Sequence, residues 1–309
     1  MSIQMLLVTG ATGRTGRHTV QHLLEKGHAV RALVHQEGER SEALRGTGAE
    51  VVVGDLLEHD AVIRTTAGTR AAYFCYPIRP GIIQATAYFA DAARRAGLKA
   101  VINMSQISAR EDSKSHAARD HWIAERVFDW SGVPTVHLRP TFFSEWLILP
   151  WVRDVIVDEG VINLPFGEGR HAPIAAEDQA RLIATILADP AAHIGRTYTL
   201  HGPAELTQHG IAEAISGVLG RTITYRPSTI ETYRERLTKY GRTEFLIQHL
   251  CAVALDYQNG IFAGEDKIIA EVTGQPPMTV QEFVTLHRDA FDASMALHRD
   301  AFDTSSVVG

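Results

Sequence analysis

Three glycines spaced three residues apart occur in Gly10-Ala11-Thr12-Gly13-Arg14-Thr15-Gly16, directly after the apolar run Ile3-Gln4-Met5-Leu6-Leu7-Val8. A helical pattern follows them. A strand that turns sharply into a helix leaves backbone N–H groups free at the helix N-terminus, with the positive end of the helix dipole behind them. In that setting Gly10 permits the tight turn, Gly13 lets the backbone approach a diphosphate, and Gly16 lets the helix pack close to the sheet. Thr12, Arg14 and Thr15 complete the loop. The chemistry this arrangement implies is capture of the pyrophosphate of a dinucleotide.

Further candidates stand where later apolar runs end. In Gly54-Asp55-Leu56, Asp55 can accept a hydrogen bond from an adenine amine or cap the next helix. An NAD site usually places an acid at the end of the second strand, where it holds the ribose hydroxyls. This chain reads Val34-His35-Gln36 there, with no acid before Glu37, and Arg14, Arg31, His35 and Arg40 make the neighbourhood basic. NADP is favoured, with NAD as the alternative. Tyr76-Pro77 is expected beneath the nicotinamide, with Tyr76 as an aromatic wall or a substitute acid. Phe142, Phe143 and Trp146, with Gln106, mark either an apolar pocket for a flat small molecule or the seam between two lobes. His116 and His121 are imidazoles able to titrate near neutral pH; His121 also reads as an exposed helical residue or as a group holding the nicotinamide ribose. The fifteen histidines are scattered without ligand spacing, so no metal site is expected.

The elements that must position these residues follow from the hydrophobic pattern. Short runs rich in Val, Ile, Leu and Ala at Ile3–Val8, Ala29–Val34, Glu50–Val53, Ala71–Cys75, Ala100–Met104 and Thr135–Leu138 read as strands covered on both faces. Helical patterns lie between them at Gly16–Lys26, Leu56–Thr66, Ile82–Ala96 and Ala117–Ser131, with Gly27, Gly97 and Gly132 placed as C-caps. The fold class is α/β: a doubly wound parallel Rossmann sheet with a smaller, mostly helical C-terminal substrate lobe. Residues 1–140 form the dinucleotide-binding domain, with later segments returning to it, and 141–309 form the smaller α+β lobe. Strands are expected there at Thr197–His201 and Ile223–Arg226, with a helix over Gln208–Leu219 ending at Gly220 and another starting near Ser228. Leu-His-Arg-Asp-Ala-Phe-Asp occurs at Leu286–Asp292 and again at Leu297–Asp303. The repeat reads as a local duplication extending the last helix, or as a helical contact in a homo-oligomer.

Composition bounds the function. The chain has 309 residues, 45% hydrophobic and 21% charged, which suits a substantial core. A formal charge of −6 leaves no broad basic field for nucleic acid. Two cysteines, Cys75 and Cys251, do not make a disulfide framework, and Cys75 reads as a buried small residue. Without a basic leader or a membrane-length apolar run, a soluble, cytoplasmic protein with no membrane partner is expected.

The Gly10–Gly16 loop, Asn103-Met104-Ser105, Arg139-Pro140-Thr141-Phe142-Phe143, Leu200-His201-Gly202-Pro203 and Gly217-Val218-Leu219-Gly220-Arg221 together resemble the NmrA-like branch of the atypical short-chain dehydrogenases/reductases, from Ile3 to Phe291. That branch includes NADP-dependent quinone oxidoreductases, triphenylmethane reductases, ergot-alkaloid dehydrogenases and redox sensors that bind cofactor without turnover. The resemblance implies an active-site role for Ser105. It also exposes departures. With Glu125 taken as the glutamate that follows the Tyr-x-x-x-Lys motif of extended members, the tyrosine position is Ala117 and the lysine position is His121. The branch's usual arginine after the second strand is His35.

Hydride transfer needs the cofactor's C4 close to an electrophilic atom, and ketone reduction also needs an acid near the developing alkoxide. Without the tyrosine, the expected acceptors are quinones, iminium ions or cationic conjugated systems. The expectation is an NAD(P)H-dependent reductase of such molecules, with Ser105, His121 and Tyr76 as catalytic candidates. The alternative is a non-catalytic redox sensor.

Overall fold

The computed structural model describes residues 4–292. Its first half alternates β1 (Met5–Val8), α1 (Arg14–Glu25), β2 (Ala29–Val34), α2 (Glu39–Gly46), β3 (Glu50–Val53), α3 (His59–Thr66), β4 (Thr69–Phe74), α4 (Ile82–Ala96), β5 (Ala100–Met104), α5 (His116–Ser131) and β6 (Thr135–Pro140). The second half contains α6 (Pro150–Glu159), β7 (Val161–Ile162), β8 (Arg170–His171), α7 (Ala176–Ala188), β9 (Thr197–Leu200), β10 (Leu206–Thr207), α8 (Gln208–Leu219), β11 (Thr224–Tyr225), α9 (Ile230–Lys239), α10 (Glu244–Gln258), α11 (Ile268–Thr273) and α12 (Val280–Leu286).

Seven strands form one sheet in the order β3-β2-β1-β4-β5-β6-β9. Every pairing is parallel, with Leu6 beside Val30 and Ala71 on either side. The order reverses between β1 and β4, so the crevice outside their carboxyl ends is the place for a ligand. One face is covered by α4 and α5, where Phe74, Phe89 and Phe128 meet edge to face or tilted. On the other face Leu6 and Val8 share a core with Leu182 and Ile186 of α7. A separate core gathers around Trp151, Tyr233 and Phe283 in the C-terminal half. The division of labour crosses the middle of the chain: β9 joins the Rossmann sheet beside β6, and α7 packs on α1.

Several boundaries differ from the sequence expectation for local reasons. Helix α2 was not anticipated: only Ser41 and Leu44 of it are buried, so it carries no apolar stripe, and its start rests on a mutual bond between Ser41 and Gly38. Helix α1 starts at Arg14, two residues before Gly16, with Gly13 as its N-cap. Helix α3 starts at His59 and not at Leu56, because Asp55 Oδ1 accepts the N–H of Leu57 at 2.9 Å and holds a turn there. Thr229, not Ser228, caps α9 by accepting the N–H of Thr232. Gly97 and Gly132 do close α4 and α5 in the left-handed region, with φ of 67° and 73°. The first copy of the repeat does not extend a helix: α12 ends at Leu286, and a short 3₁₀ turn seats Phe291 in the core of the lobe. The second copy, Leu297–Asp303, lies outside the described residues, as does Ile3. Among the described residues no helix is long and apolar enough to cross a membrane, and Cys75 and Cys251 are free thiols.

The tightest packing constraint in the phosphate loop is at Gly16. A Cβ built there would stand 2.2 Å from the carbonyl oxygen of Gly10, which no real structure tolerates without backbone movement. Gly16→Ala should therefore cost about 1–3 kcal/mol of stability and weaken dinucleotide binding together with it. Urea unfolding beside a cofactor titration checks this, and an unaltered midpoint would contradict the close approach.

Candidate active site

The β1–α1 turn is built as the sequence implies. Gly10 adopts φ +58°, and Gly13 N–H bonds back to the Gly10 carbonyl at 2.8 Å. No side chain caps α1. The N–H groups of Arg14, Thr15 and Gly16 are thus left for a ligand. Thr15 is buried beneath the turn, so what it offers is its backbone.

A cavity of about 660 Å³ runs over this turn. Gly10, Thr12 and Gly13 form its floor, His35 and Arg40 stand at one end, Asp55 and Leu56 line a side, and Tyr76 and Pro77 close the other end. Its size suits a large cofactor. The uncapped helix start, the glycine floor and the position at the switch point all fit a dinucleotide diphosphate. Asp55 remains on the cavity wall, with Oδ2 3.7 Å from His35 Nδ1.

Two arginines expected near the ribose end are elsewhere. Arg31 bonds Glu50 at 2.9 Å and the carbonyls of Thr65 and Ala67, locking β2 to β3 and to the end of α3. Arg14 donates to the Glu145 carbonyl at 3.4 Å and lines a second cavity, of about 310 Å³, that it shares with Arg17 and Glu145. It does not line the dinucleotide cavity. Arg40 lines both cavities, as does Thr12. Glu37, the first acid after β2, is bonded to Arg45 at 2.7 Å, so its carboxylate already has a partner. At this end the cavity is lined by His35 and Arg40 together with Glu37 and Glu39.

Tyr76 is 2% exposed and lines both the large cavity and an adjoining narrow slot. Its hydroxyl donates to the Pro80 carbonyl at 3.0 Å and accepts from Arg79 Nε at 3.2 Å, while the Arg79 guanidinium lies over its ring. With the hydroxyl engaged in its own loop, the ring acts as a wall. Ser105, Gln106, Phe142, Phe143 and Trp146 all line the slot. Phe142 stacks on Phe262 at 4.4 Å and meets Trp146 edge to face at 4.5 Å, so these aromatics serve as pocket wall and as lobe seam at once.

Beneath the slot lies a polar network centred on Glu125. Ser105 Oγ donates to Glu125 Oε1 at 2.6 Å, and Arg139 Nε donates to the same oxygen at 2.8 Å. Glu125 is 0% exposed, and its carboxylate holds the Arg139 guanidinium above its usual pKa. The spacing was a usable signal: on a helix, His121 and Glu125 fall one turn apart on the same face. His121 also lines the slot, and burial pushes its pKa down to about 4 against the pull of Glu125. It is a neutral imidazole at pH 7. Its Nδ1 is buried and has no partner among the described residues; Gln106 Nε2 is in the same condition. These are polar atoms suited to a carboxamide or to a polar substrate edge. Ala117, at the tyrosine position, is buried at the start of α5.

One polar slot residue was missed altogether. His249 arrives from α10, and its Nδ1 lies 2.7 Å from the Ser115 hydroxyl that caps α5. Burial pushes its pKa down to about 3. His116, by contrast, is exposed at the start of α5, where its N–H bonds Gln248, and it does not line the slot. Among the described residues no group of three or more His, Cys, Asp or Glu side chains is placed to hold a metal.

Fold and cavity together define a Rossmann-type dinucleotide-binding protein. The chain matches the NmrA-like family over residues 2–284 and belongs to it. It is 30% identical over 296 residues to the NAD(P)H azoreductase of Xenophilus azovorans, covering 94% of this chain and 100% of that one. Among solved structures it resembles the NADPH-dependent quinone oxidoreductase of Escherichia coli complexed with NADPH (TM-score 0.82, 23% identity, 92% and 100% coverage). It also resembles the triphenylmethane reductase of Citrobacter sp. complexed with NADP(H) (TM-score 0.80, 24% identity, 91% and 99% coverage).

The buried imidazoles set the response to acid. His121, His249 and His171 have folded pKa values of about 4, 3 and 3, all below the unfolded value. The unfolded chain then binds more protons, so stability present above pH 6.5 is lost as pH falls toward those values. At pH 5 the loss should be about 2 kcal/mol per imidazole. Glu145, raised to about 6 by burial, works in the opposite direction and offsets part of it. Urea midpoints at pH 7 and pH 5 should fall on acidification; a midpoint that holds or rises would refute neutral burial.

Proposed function

We propose that the protein is an NAD(P)H-dependent oxidoreductase that transfers hydride to a quinone, azo compound, imine or similar conjugated small molecule, without a Tyr-x-x-x-Lys proton donor. The observation that carries this reading is the junction at Tyr76, whose ring borders both the dinucleotide cavity and the aromatic slot. A cofactor lying along the first would present its nicotinamide to the second. When bound, the dihydronicotinamide supplies the hydride.

The chain's own residues then supply position and shelter. The free N–H groups at the start of α1 hold the diphosphate. Arg40 supplies positive charge at the adenosine end with the His35 ring beside it, and Glu37 is already paired with Arg45. This favours NADPH over NADH. The Ser105–Glu125–Arg139 network fixes the slot floor, and Phe142, Phe143 and Trp146 exclude water and offer apolar faces to a flat acceptor. The names borne by relatives, NAD(P)H azoreductase and NADPH-dependent quinone oxidoreductase among them, support the same chemistry.

Oxidation of NADPH and NADH, followed at the nicotinamide absorbance band against quinones, azo dyes, cyclic imines and cationic dyes, tests the proposal. Turnover with at least one class is expected. Tight cofactor binding with no turnover on any of them would overturn the enzyme reading in favour of a cofactor-binding regulator. Arg40→Ala should weaken NADPH by about 10–100-fold, the scale of a charge-assisted hydrogen bond, and leave NADH nearly unchanged. An equal loss for both cofactors in calorimetric titrations would refute recognition of the 2′-phosphate.

A further inference from the structure

The slot contains a side chain from the C-terminal lobe that is hydrogen-bonded to the cap of α5. Ser115 Oγ accepts the N–H of Ala118 at 3.0 Å as the cap of α5. The same hydroxyl lies 2.7 Å from His249 Nδ1, and we take its hydrogen to point there, the arrangement in which Nδ1 accepts. In a neutral imidazole with Nδ1 accepting, the proton resides on Nε2. His249 lines the slot with His121 and Ser105. The result is a buried N–H donor, oriented from α5 but carried by α10, in the compartment where an acceptor would sit.

The slot's charge is equally defined. Among the described residues no Asp or Glu side chain lines it, and Glu125, which Ser105 meets, is bonded by both Ser105 and Arg139. His121 and His249 are neutral. The walls therefore offer hydrogen-bond donors and aromatic faces, with no unpaired anion to hold a cation.

We propose that His249 is a catalytic residue whose Nε2–H binds the heteroatom of the acceptor and stabilises the negative charge that hydride delivery places there. The site in consequence selects neutral acceptors bearing a carbonyl or azo heteroatom over cationic ones. This rests on the reductase reading above. In the step, hydride from bound NAD(P)H adds to one end of the acceptor's conjugated system, and the displaced π pair moves to the heteroatom facing His249. The cofactor is oxidised by two electrons and the acceptor reduced by two. The anionic product takes its proton from water on release, so His249 keeps its own. A fixed donor aimed at developing charge in a dry site contributes more than it would in water.

The test uses the full chain saturated with NADP⁺, which permits binding without turnover, and tetramethyl-1,4-benzoquinone as probe. In wild-type protein the Nε2–H resonance of His249 should shift on addition of the quinone. His249→Leu should weaken quinone binding about 10-fold and, with NADPH, lower its kcat about 100-fold, leaving NADPH affinity unchanged. His249→Gln, which restores an N–H donor, should recover most of both losses. Reduction of a cationic triarylmethane dye should be affected far less. An unmoved resonance, equal quinone affinity in wild type and His249→Leu, no quinone binding at all, or equal kcat losses for quinone and dye would each overturn the proposal. If the quinone binds and moves the resonance but is never reduced, the donor assignment stands and the reductase reading fails.

Discussion

The site depends on one buried carboxylate. Glu125 is completely shielded from water, yet it is met by the Arg139 guanidinium at the end of β6 and by the Ser105 hydroxyl just past β5. Burying an ion pair yields little net stability, but removing one partner leaves an uncompensated charge and typically costs about 3–5 kcal/mol. The pair is therefore best understood as a positioning device. It fixes α5 against the carboxyl ends of two adjacent strands. His121 lies one turn earlier on that helix, and Ser115, which caps its start, holds His249, so two polar side chains of the slot inherit their placement from Glu125.

A second constraint positions the other half of the site. Helix α1 can begin over the sheet only because Gly16 lets its backbone touch that of Gly10. That closeness sets where the uncapped helix start points, and hence where the diphosphate would lie. The seventh strand and α7 return from the second half of the chain to brace this region, while the lobe carrying α10 closes over the slot. Phe142 shows how closely the lobe and the sheet are joined. It follows β6 directly, yet its ring packs among Phe166, Tyr257 and Phe262 from the C-terminal lobe. The same ring is both mortar and pocket wall.

What was readable in the sequence follows from the range of the interactions involved. The strands of a doubly wound sheet are short apolar runs, and the phosphate loop is a local backbone device, so both are written in contiguous residues. Helix α2 was not legible because its burial is confined to Ser41 and Leu44, too little to make a period. Arg14 and Arg31 illustrate the opposite failure. Their positions suggested a basic ribose site, but a guanidinium goes to whichever carbonyls and carboxylates are nearest, and those belong to Glu145, Glu50, Thr65 and Ala67. His249 had no local signal of any kind. It meets Ser115 across 134 residues of chain, and only the docking of α10 on α5 makes it part of the slot.

The missing tyrosine is then less a defect than a change in the kind of help the protein gives. A phenol at the position of Ala117 would stand ready to donate a proton to an alkoxide. Here α5 buries an alanine at that point, the Tyr76 hydroxyl is spent on Pro80 and Arg79, and the imidazoles of the slot are neutral. Such a site has no strong acid to give. It has fixed dipoles, aromatic faces and a dry floor, which help most when the acceptor spreads incoming charge over its own conjugated system. A simple ketone concentrates that charge on one oxygen and needs the proton early. A quinone or azo compound does not, and that difference in charge distribution is why the chemistry can dispense with the tyrosine.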